Sequence, residues 1–166
     1  DIELVAVPIF ASVSDPEDLF GDHISVNRLH QWATTQKLIS WIKPGTSPSD
    51  PVLWKIEANG KYWRGRYQLW AESKHINVDL FIASPENFGA IYLIRTGPAA
   101  FSEAVVTHAK RINRPCKNGS FHQDGEPVVT PDEESVFDLL NLLYVPPHKR
   151  VGAVSLFGKL RGKQNA

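Results

Sequence analysis

The sequence predicts an α+β protein in which a β-rich half precedes a smaller, mostly helical half. Through about Ile94 the chain alternates apolar, β-branched runs with Pro- and Gly-rich breaks, a pattern typical of strands joined by loops. After Gly97 the apolar residues recur at helical spacing instead. No strand–helix alternation and no Gly-x-Gly-x-x-Gly or Walker-type loop is present, which argues against a Rossmann or P-loop nucleotide site.

The first half is predicted to contain several strands around one helix. Residues 2–9 and the run around Asp79 are apolar enough to form buried strands. Residues 25–36 carry apolar side chains at helical spacing, with Ser25 as the expected N-cap. Loops are expected at 11–22 and 44–51, further strands at 37–43, 52–57, 62–70 and 90–94, and a hairpin turn at Asn59-Gly60.

The second half is predicted to contain two helices. The first begins at Pro98, capped by Thr96 or Gly97, because Pro suits the first position of a helix. Its buried face is expected to comprise Phe101, Val105, His108, Ala109 and Ile112. The run Thr130–Glu133 resembles a capping box and opens a second helix to about Leu140, which Tyr144–Pro147 ends. We expect the tail from Val151 to be poorly ordered.

Composition limits the class of protein. The chain has 166 residues, 42% of them apolar, and 18 acidic residues balance 18 basic ones. Cys116 is the only cysteine, so an internal disulfide is impossible and a reducing, intracellular compartment is expected. No signal peptide or membrane-spanning apolar run is visible, so we expect no membrane partner.

Three carboxylates are the strongest candidates for a chemical site. Asp1 and Glu3 are two residues apart in a predicted strand and therefore project from the same face. Asp79 would join them if its strand lies beside the first. Three such groups repel one another unless a divalent cation compensates them, and carboxylate oxygens suit Mg²⁺ or Mn²⁺. The alternative is that these are solvated charges that protect a sheet edge.

Basic residues supply candidate contacts to nucleic acid. The run Lys61–Tyr67 interleaves cations with aromatic side chains, as surfaces that follow a phosphate backbone do. The alternative is a sheet edge with exposed charges beside buried aromatic residues. The last 28 residues carry five cations and no acid, whereas the first 22 carry six acids and no cation. The candidate DNA-binding residues are Lys61, Arg64, Arg66, Lys149 and Arg150.

Several motifs together resemble the palm and thumb of family X DNA polymerases, within the nucleotidyltransferase superfamily. They are Asp1-Ile2-Glu3, Val78–Phe81, Arg95–Ser102, Gly125–Pro127 with Thr130–Phe137, and Tyr144–Arg150. The resemblance covers residues 1–9 and 61–150. It implies a nucleotidyltransferase-type palm sheet with a flanking helix at 1–95, a thumb at 96–150 and a flexible basic tail at 151–166.

The resemblance also implies an activity. A protein of this kind uses two Mg²⁺ or Mn²⁺ ions to add dNMP to a primer 3′-hydroxyl and releases pyrophosphate, as in gap-filling repair. Its partners would be primer/template or gapped DNA and a nucleoside triphosphate, and we expect a monomer. Asp1 and Glu3 would hold both metals, and Asp79 the metal on the nucleophile side. Arg95, Thr96 and Gly97 would lie against the incoming nucleotide.

Two alternatives to this function are open. The chain would be a nucleotidyltransferase acting on another acceptor, such as RNA, protein or a small molecule, or a catalytically degenerate palm that binds DNA or a partner protein. In the family a Gly-Ser element that binds the triphosphate precedes the first carboxylate strand. This chain begins at Asp1 and contains no Met, so we expect the N-terminal part of the palm to be missing.

Overall fold

The protein is α+β and divides into two compact units, Asp1–Ile82 and Ala83–Ala166. A computed structural model describes residues 2–14, 23–46, 52–53, 55–68 and 74–151. The described residues form nine strands, four α-helices and one short 3-10 helix. The division falls at residue 82, whereas the sequence led us to expect a boundary at residue 95. The basic tail after Val151 lies outside the described residues.

The first unit contains a four-stranded mixed sheet. In chain order its strands are β1 (Ile2–Ala6), β4 (Ile39–Ile42), β5 (Tyr62–Gln68) and β6 (His75–Ile82). The spatial order is β1-β6-β5-β4, with β1 parallel to β6 and the other pairs antiparallel. The strands that carry Glu3 and Asp79 are therefore direct neighbours.

One face of this sheet is apolar and packs on helix α1 (Arg28–Thr35). The buried cluster there consists of Ala33, Trp41, Ile56, Trp63 and Leu80. The indole Nε1 of Trp41 donates a hydrogen bond of 2.7 Å to the Ala33 carbonyl and so joins the helix to β4. Because strand residues alternate between faces, the intervening polar residues of β5 and β6 lie on the opposite face.

The segment before α1 differs from the sequence-based expectation. Strands β2 (Phe10–Ser14) and β3 (His23–Asn27) pair antiparallel, where a loop and the start of a helix were expected. The N-cap of α1 is Asn27, not Ser25, and its side-chain oxygen accepts a hydrogen bond from His30 N at 3.0 Å. The Asn27 amide also donates to the Ala58 carbonyl at 2.8 Å. This long-range bond explains why the cap falls two residues later.

The hairpin expected around Asn59-Gly60 was wrong. Gly60 N does donate to the Glu57 carbonyl at 3.1 Å, so a turn forms there. Among the described residues of 52–57, however, only Leu53 forms a bridge, and its partner is Ile42 of β4. Strand β5 pairs with β4 and β6 instead. The local turn signal was correct, but the choice of strand partner was made by long-range packing.

The second unit contains three helices around an aromatic core. They are α2 (Phe88–Arg95), α3 (Ala99–Arg111) and α4 (Glu133–Leu139), and a 3-10 helix (Pro147–Lys149) follows. Fully buried Phe101, Phe121 and Phe137 form the centre of the core. The apolar spacing of α3 predicted its buried face, which includes Val105 and Ala109.

Helix α2 replaces the strand expected at 90–94. A short apolar run does not by itself distinguish a buried strand from a buried helix. Here Gly89, Ala90 and Leu93 form one buried stripe at helical spacing. Gly89 lies so close to the chain before α4 that a Cβ on it would be 1.9 Å from the Asp132 carbonyl oxygen. Tertiary packing therefore decided the conformation of this segment.

A small three-stranded sheet was missed by the sequence analysis. Strands β7 (Cys116–Lys117), β8 (Ser120–Gln123) and β9 (Glu126–Pro127) are joined by turns at Asn118-Gly119 and Asp124-Gly125. All four turn residues have φ between 51° and 93°, as two-residue hairpin turns of the mirror-image type require. The Asn-Gly and Asp-Gly pairs were the available signal.

The cap of α4 is Asp132, whereas the capping box was expected to start at Thr130. The Asp132 carboxylate accepts hydrogen bonds from Ser135 N at 2.8 Å and Ser135 Oγ at 2.6 Å. Thr130 is buried, and its backbone N–H and carbonyl bond to Glu86 O and Gly89 N. The Thr130 backbone thus connects α4 to the start of α2.

Candidate polar site on the exposed face of the sheet

Glu3 and Asp79 are register partners on adjacent parallel strands. Glu3 lies at the centre of β1, and its Cα partner on β6 is Asp79. Register partners in a sheet project from the same face, so the two carboxylates lie side by side. Glu3 is exposed and Asp79 is half-buried. Asp1, the third predicted ligand, lies outside the described residues.

Asp79 is held by two residues of the neighbouring strand β5. The Tyr62 hydroxyl donates a hydrogen bond of 2.5 Å to Asp79 Oδ1. The Arg64 Nε atom lies 3.6 Å from the same oxygen and forms an ion pair with it. Arg64 is also the register partner of Asp79 across β5 and β6, so the backbone fixes this pairing.

The result is a row of three charged side chains across three strands, two carboxylates and one cation: Glu3, Asp79 and Arg64. A second cation, Arg66, follows on the same face with Asn77 as its register partner. Lys61 is exposed and directly precedes β5. The structure thus brings Arg64 and Arg66 onto the face of the carboxylates. Tyr62 was missed as a site residue, although its spacing from Arg64 already implied a shared face.

The donor set has the chemistry that a hard divalent cation requires. Two carboxylates from neighbouring strands offer oxygen ligands of the kind that Mg²⁺ and Mn²⁺ prefer. Within the described part of the chain, no group of three or more His, Cys, Asp or Glu side chains is placed to hold a metal. Glu3 and Asp79 are thus two carboxylates on adjacent strands, and the cationic Arg64 lies beside Asp79.

The opposite face of the sheet offers a different environment. A cavity of about 350 Å³ lies beside α1 and is lined by apolar side chains, which are Leu4, Val5, Ala6, Leu29, Trp32, Ile39, Trp41, Val78 and Leu80. A triphosphate or a metal ion needs charged or hydrogen-bonding partners. None of the side chains that line this cavity carries a charge. The polar chemistry of the first unit therefore belongs to the face of Asp79.

In the second unit, Thr96 and Gly97 form the turn between α2 and α3. Thr96 is the C-cap of α2, and its hydroxyl donates to the Tyr92 carbonyl. Gly97 has φ of +101°, a conformation that favours glycine. Arg95, the last residue of α2, is exposed. These three predicted nucleotide contacts are therefore contiguous at one helix junction.

Arg150, which we expected to bind DNA, is buried instead. Its Nη1 atom donates to Glu133 Oε1 at 2.6 Å and to the Thr96 carbonyl at 3.3 Å, and its Nε donates to the Val145 carbonyl at 2.9 Å. The guanidinium also lies over the rings of Phe101 and Phe137. Because its Nε and Nη1 atoms are bonded inside the unit, Arg150 acts as a structural residue that supports the Thr96 turn, although its Nη2 atom is buried without a hydrogen-bond partner. Lys149 beside it is exposed.

Comparison with known proteins gives no family for this chain. No protein-family model matches it, and no curated protein matches it either. None of the helices in the described residues is both long enough and apolar enough to cross a lipid bilayer. The geometry around Asp79 and the motif resemblance are therefore the observations that bear on the function of this chain.

Proposed function

We propose that this chain is a metal-dependent nucleotidyltransferase of the family X DNA polymerase kind, which adds dNMP to a primer 3′-hydroxyl and releases pyrophosphate. The observation that carries the proposal is the register pairing of Glu3 with Asp79 on adjacent parallel strands. A three-carboxylate site requires those two strands to be neighbours, although they are far apart in sequence. In this proposal residues 1–95 are the palm and residues 96–150 are the thumb.

In this proposal each residue near Asp79 has a defined task. Glu3 and Asp79, with Asp1, would hold two Mg²⁺ or Mn²⁺ ions, which activate the 3′-hydroxyl and stabilise the leaving pyrophosphate when bound. Tyr62 fixes the Asp79 carboxylate through its hydrogen bond to Oδ1. Arg66 and Lys61 would supply positive charge for a phosphate backbone.

A catalytically silent module that binds DNA is the second candidate. The observation that favours it is the Arg64–Asp79 ion pair, because a protein cation already compensates the carboxylate. In this case Arg64 would substitute permanently for a metal. Both candidates involve DNA, but only the first requires turnover of a nucleoside triphosphate.

Primer extension on gapped DNA with dNTPs and Mn²⁺ tests the proposal. We expect extension by the protein and its loss in Asp79→Asn, which keeps the shape of the side chain but removes the charge that binds metal. Asp124→Asn is the matched control, because it makes the same chemical change at an exposed turn where Asn tolerates the positive φ.

The outcomes separate the candidates. Extension that survives Asp79→Asn contradicts the assignment of the site. Tight DNA binding without extension by the unmodified protein supports the silent module instead. Incorporation of labelled NMP into RNA, protein or a small molecule, with no extension of DNA, identifies a different acceptor.

A further inference from the structure

Arg64 occupies an unusual position for a residue beside a candidate cation site. It is the register partner of Asp79 on β5, while Glu3 is the partner of Asp79 on β1. The central carboxylate is therefore flanked by a like charge on one side and an opposite charge on the other. The Asp79 side chain is 16% exposed and that of Arg64 is 29% exposed, whereas the Arg64 Nε atom that faces Asp79 is buried and has no hydrogen-bond partner.

The contacts to Asp79 differ in strength. The Tyr62 hydrogen bond is short at 2.5 Å, whereas the Arg64 ion pair at 3.6 Å is longer than a hydrogen bond. A partly exposed pair of this kind contributes little stability. Arg64 can therefore leave Asp79 at little cost, while Tyr62 keeps the carboxylate in place.

We propose that Arg64 is a resident counter-cation that regulates metal binding at Glu3 and Asp79, so that a divalent ion binds by displacing the Arg64 guanidinium. This inference rests on the proposed function, since it concerns the same carboxylates. Without the ion, Arg64 compensates the negative charge of Asp79, which the neighbouring Glu3 carboxylate repels. When the ion binds, the positive charge of Arg64 repels it. The affinity for the divalent ion is therefore lower than the two carboxylates alone would give.

The test is calorimetric titration with Mn²⁺ in the absence of DNA and nucleotide. Removing one positive charge a few ångströms from a divalent ion tightens its binding by about tenfold in a solvent-exposed site. We therefore expect Arg64→Gln to bind Mn²⁺ about tenfold more tightly than the unmodified protein, and Arg64→Lys to bind it with nearly the parental affinity.

Arg66→Gln is the matched control. Arg66 lies on the same strand and the same face but faces Asn77, roughly 7 Å further along the strand. Its removal is expected to change the affinity by less than about threefold, because a more distant charge acts more weakly. If Arg64→Gln does not fold, Arg64→Met removes the charge while keeping an unbranched aliphatic side chain.

Each outcome bears on one proposal or the other. Unchanged or weaker Mn²⁺ binding by Arg64→Gln and Arg64→Met, with binding that still needs Asp79, overturns the role of Arg64 and leaves the proposed function standing. Binding that appears only when Arg64 is neutralised supports the role of Arg64 and favours the silent module. Heat that persists in Asp79→Asn, or no binding by any variant, overturns both.

Discussion

Among the described residues, an arginine–carboxylate pair is found in each unit, and these two pairs differ in exposure and in distance. In the first unit, Arg64 and Asp79 are 29% and 16% exposed and their nearest atoms are 3.6 Å apart. In the second unit, the Arg150 side chain is fully buried, that of Glu133 is 9% exposed, and their atoms are 2.6 Å apart. The same chemistry thus serves different purposes in the two units.

The difference follows from the surroundings of each pair. Arg150 is enclosed by two phenylalanine rings and two backbone carbonyl acceptors, so its charge is compensated within the fold. Arg64 stands on the polar face of a sheet whose other face forms the core. A sealed pair is costly to break from one side, because the remaining charge stays buried, whereas a partly exposed pair contributes little stability and can exchange its partner for a ligand. The proposed function therefore concerns the open pair.

The largest expected effect comes from breaking the sealed pair. We expect Glu133→Gln to lower the free energy of unfolding by about 3–5 kcal/mol, because it leaves the Arg150 charge buried without a counter-charge. We expect Arg64→Gln to lower it by at most about 1 kcal/mol. Urea unfolding measures both, with helical ellipticity for Glu133→Gln and tryptophan fluorescence for Arg64→Gln, since all five tryptophans lie in the first unit.

A control distinguishes charge from packing. The double variant Glu133→Leu with Arg150→Met replaces the pair by apolar side chains and should recover much of the loss, because no buried charge remains uncompensated. Equal losses for Glu133→Gln and Arg64→Gln would contradict the distinction between a sealed and an open pair.

The next effect concerns two glycines at close approaches. In Gly89→Ala the new Cβ would be 1.9 Å from a backbone oxygen of Asp132, whereas in Gly65→Ala it would be 2.4 Å from a side-chain methyl of Ile39. A side chain can move and the backbone before α4 cannot. We expect Gly89→Ala to cost about 3 kcal/mol and Gly65→Ala about 1 kcal/mol, within the range for overpacked sites.

Thermal unfolding of the two glycine variants provides the measurement, and the matched change of one methyl group makes them directly comparable. A smaller loss for Gly89→Ala than for Gly65→Ala would show that the second unit is the more easily deformed one. That result would also weaken the view that its ion pair is sealed by rigid packing.

The sequence predicted the α+β class, strands β1 and β6, and helix α3 because each has a strong period or a distinct apolar run. It missed α2, whose helical form depends on the contact of Gly89 with the chain before α4. It also placed two helix caps wrongly. The bond of Asn27 to Ala58 is long-range, whereas Asp132 is capped locally by Ser135, three residues further on. Long-range contacts thus decided α2 and the cap of α1, but not the cap of α4.

The candidate site was predicted in part. Spacing named Glu3 and Asp79, and only the parallel register could show that they are neighbours. Nothing in the spacing of Arg150 distinguished it from Lys149, although one is buried and the other is exposed. The partner of a charge comes from a different element of the chain, so pattern alone does not reveal whether that charge faces solvent or protein.

The smallest expected effect sharpens the comparison at the start of α4, where Asp132 and Glu133 are adjacent but differ in exposure. The hydrogen bonds from Ser135 lower the pKa of the Asp132 carboxyl below its usual range. A folded-state pKa below the unfolded one gives stability that is present above the unfolded pKa, near 3.8, and is lost as the pH falls through the folded value.

Asp132→Asn keeps a good N-cap but does not titrate, so we expect nearly parental stability at pH 7 and a shallower loss of stability below about pH 4. Urea midpoints measured across this acidic range test this, and parallel curves for the two proteins would show that Asp132 does not contribute to the acid response.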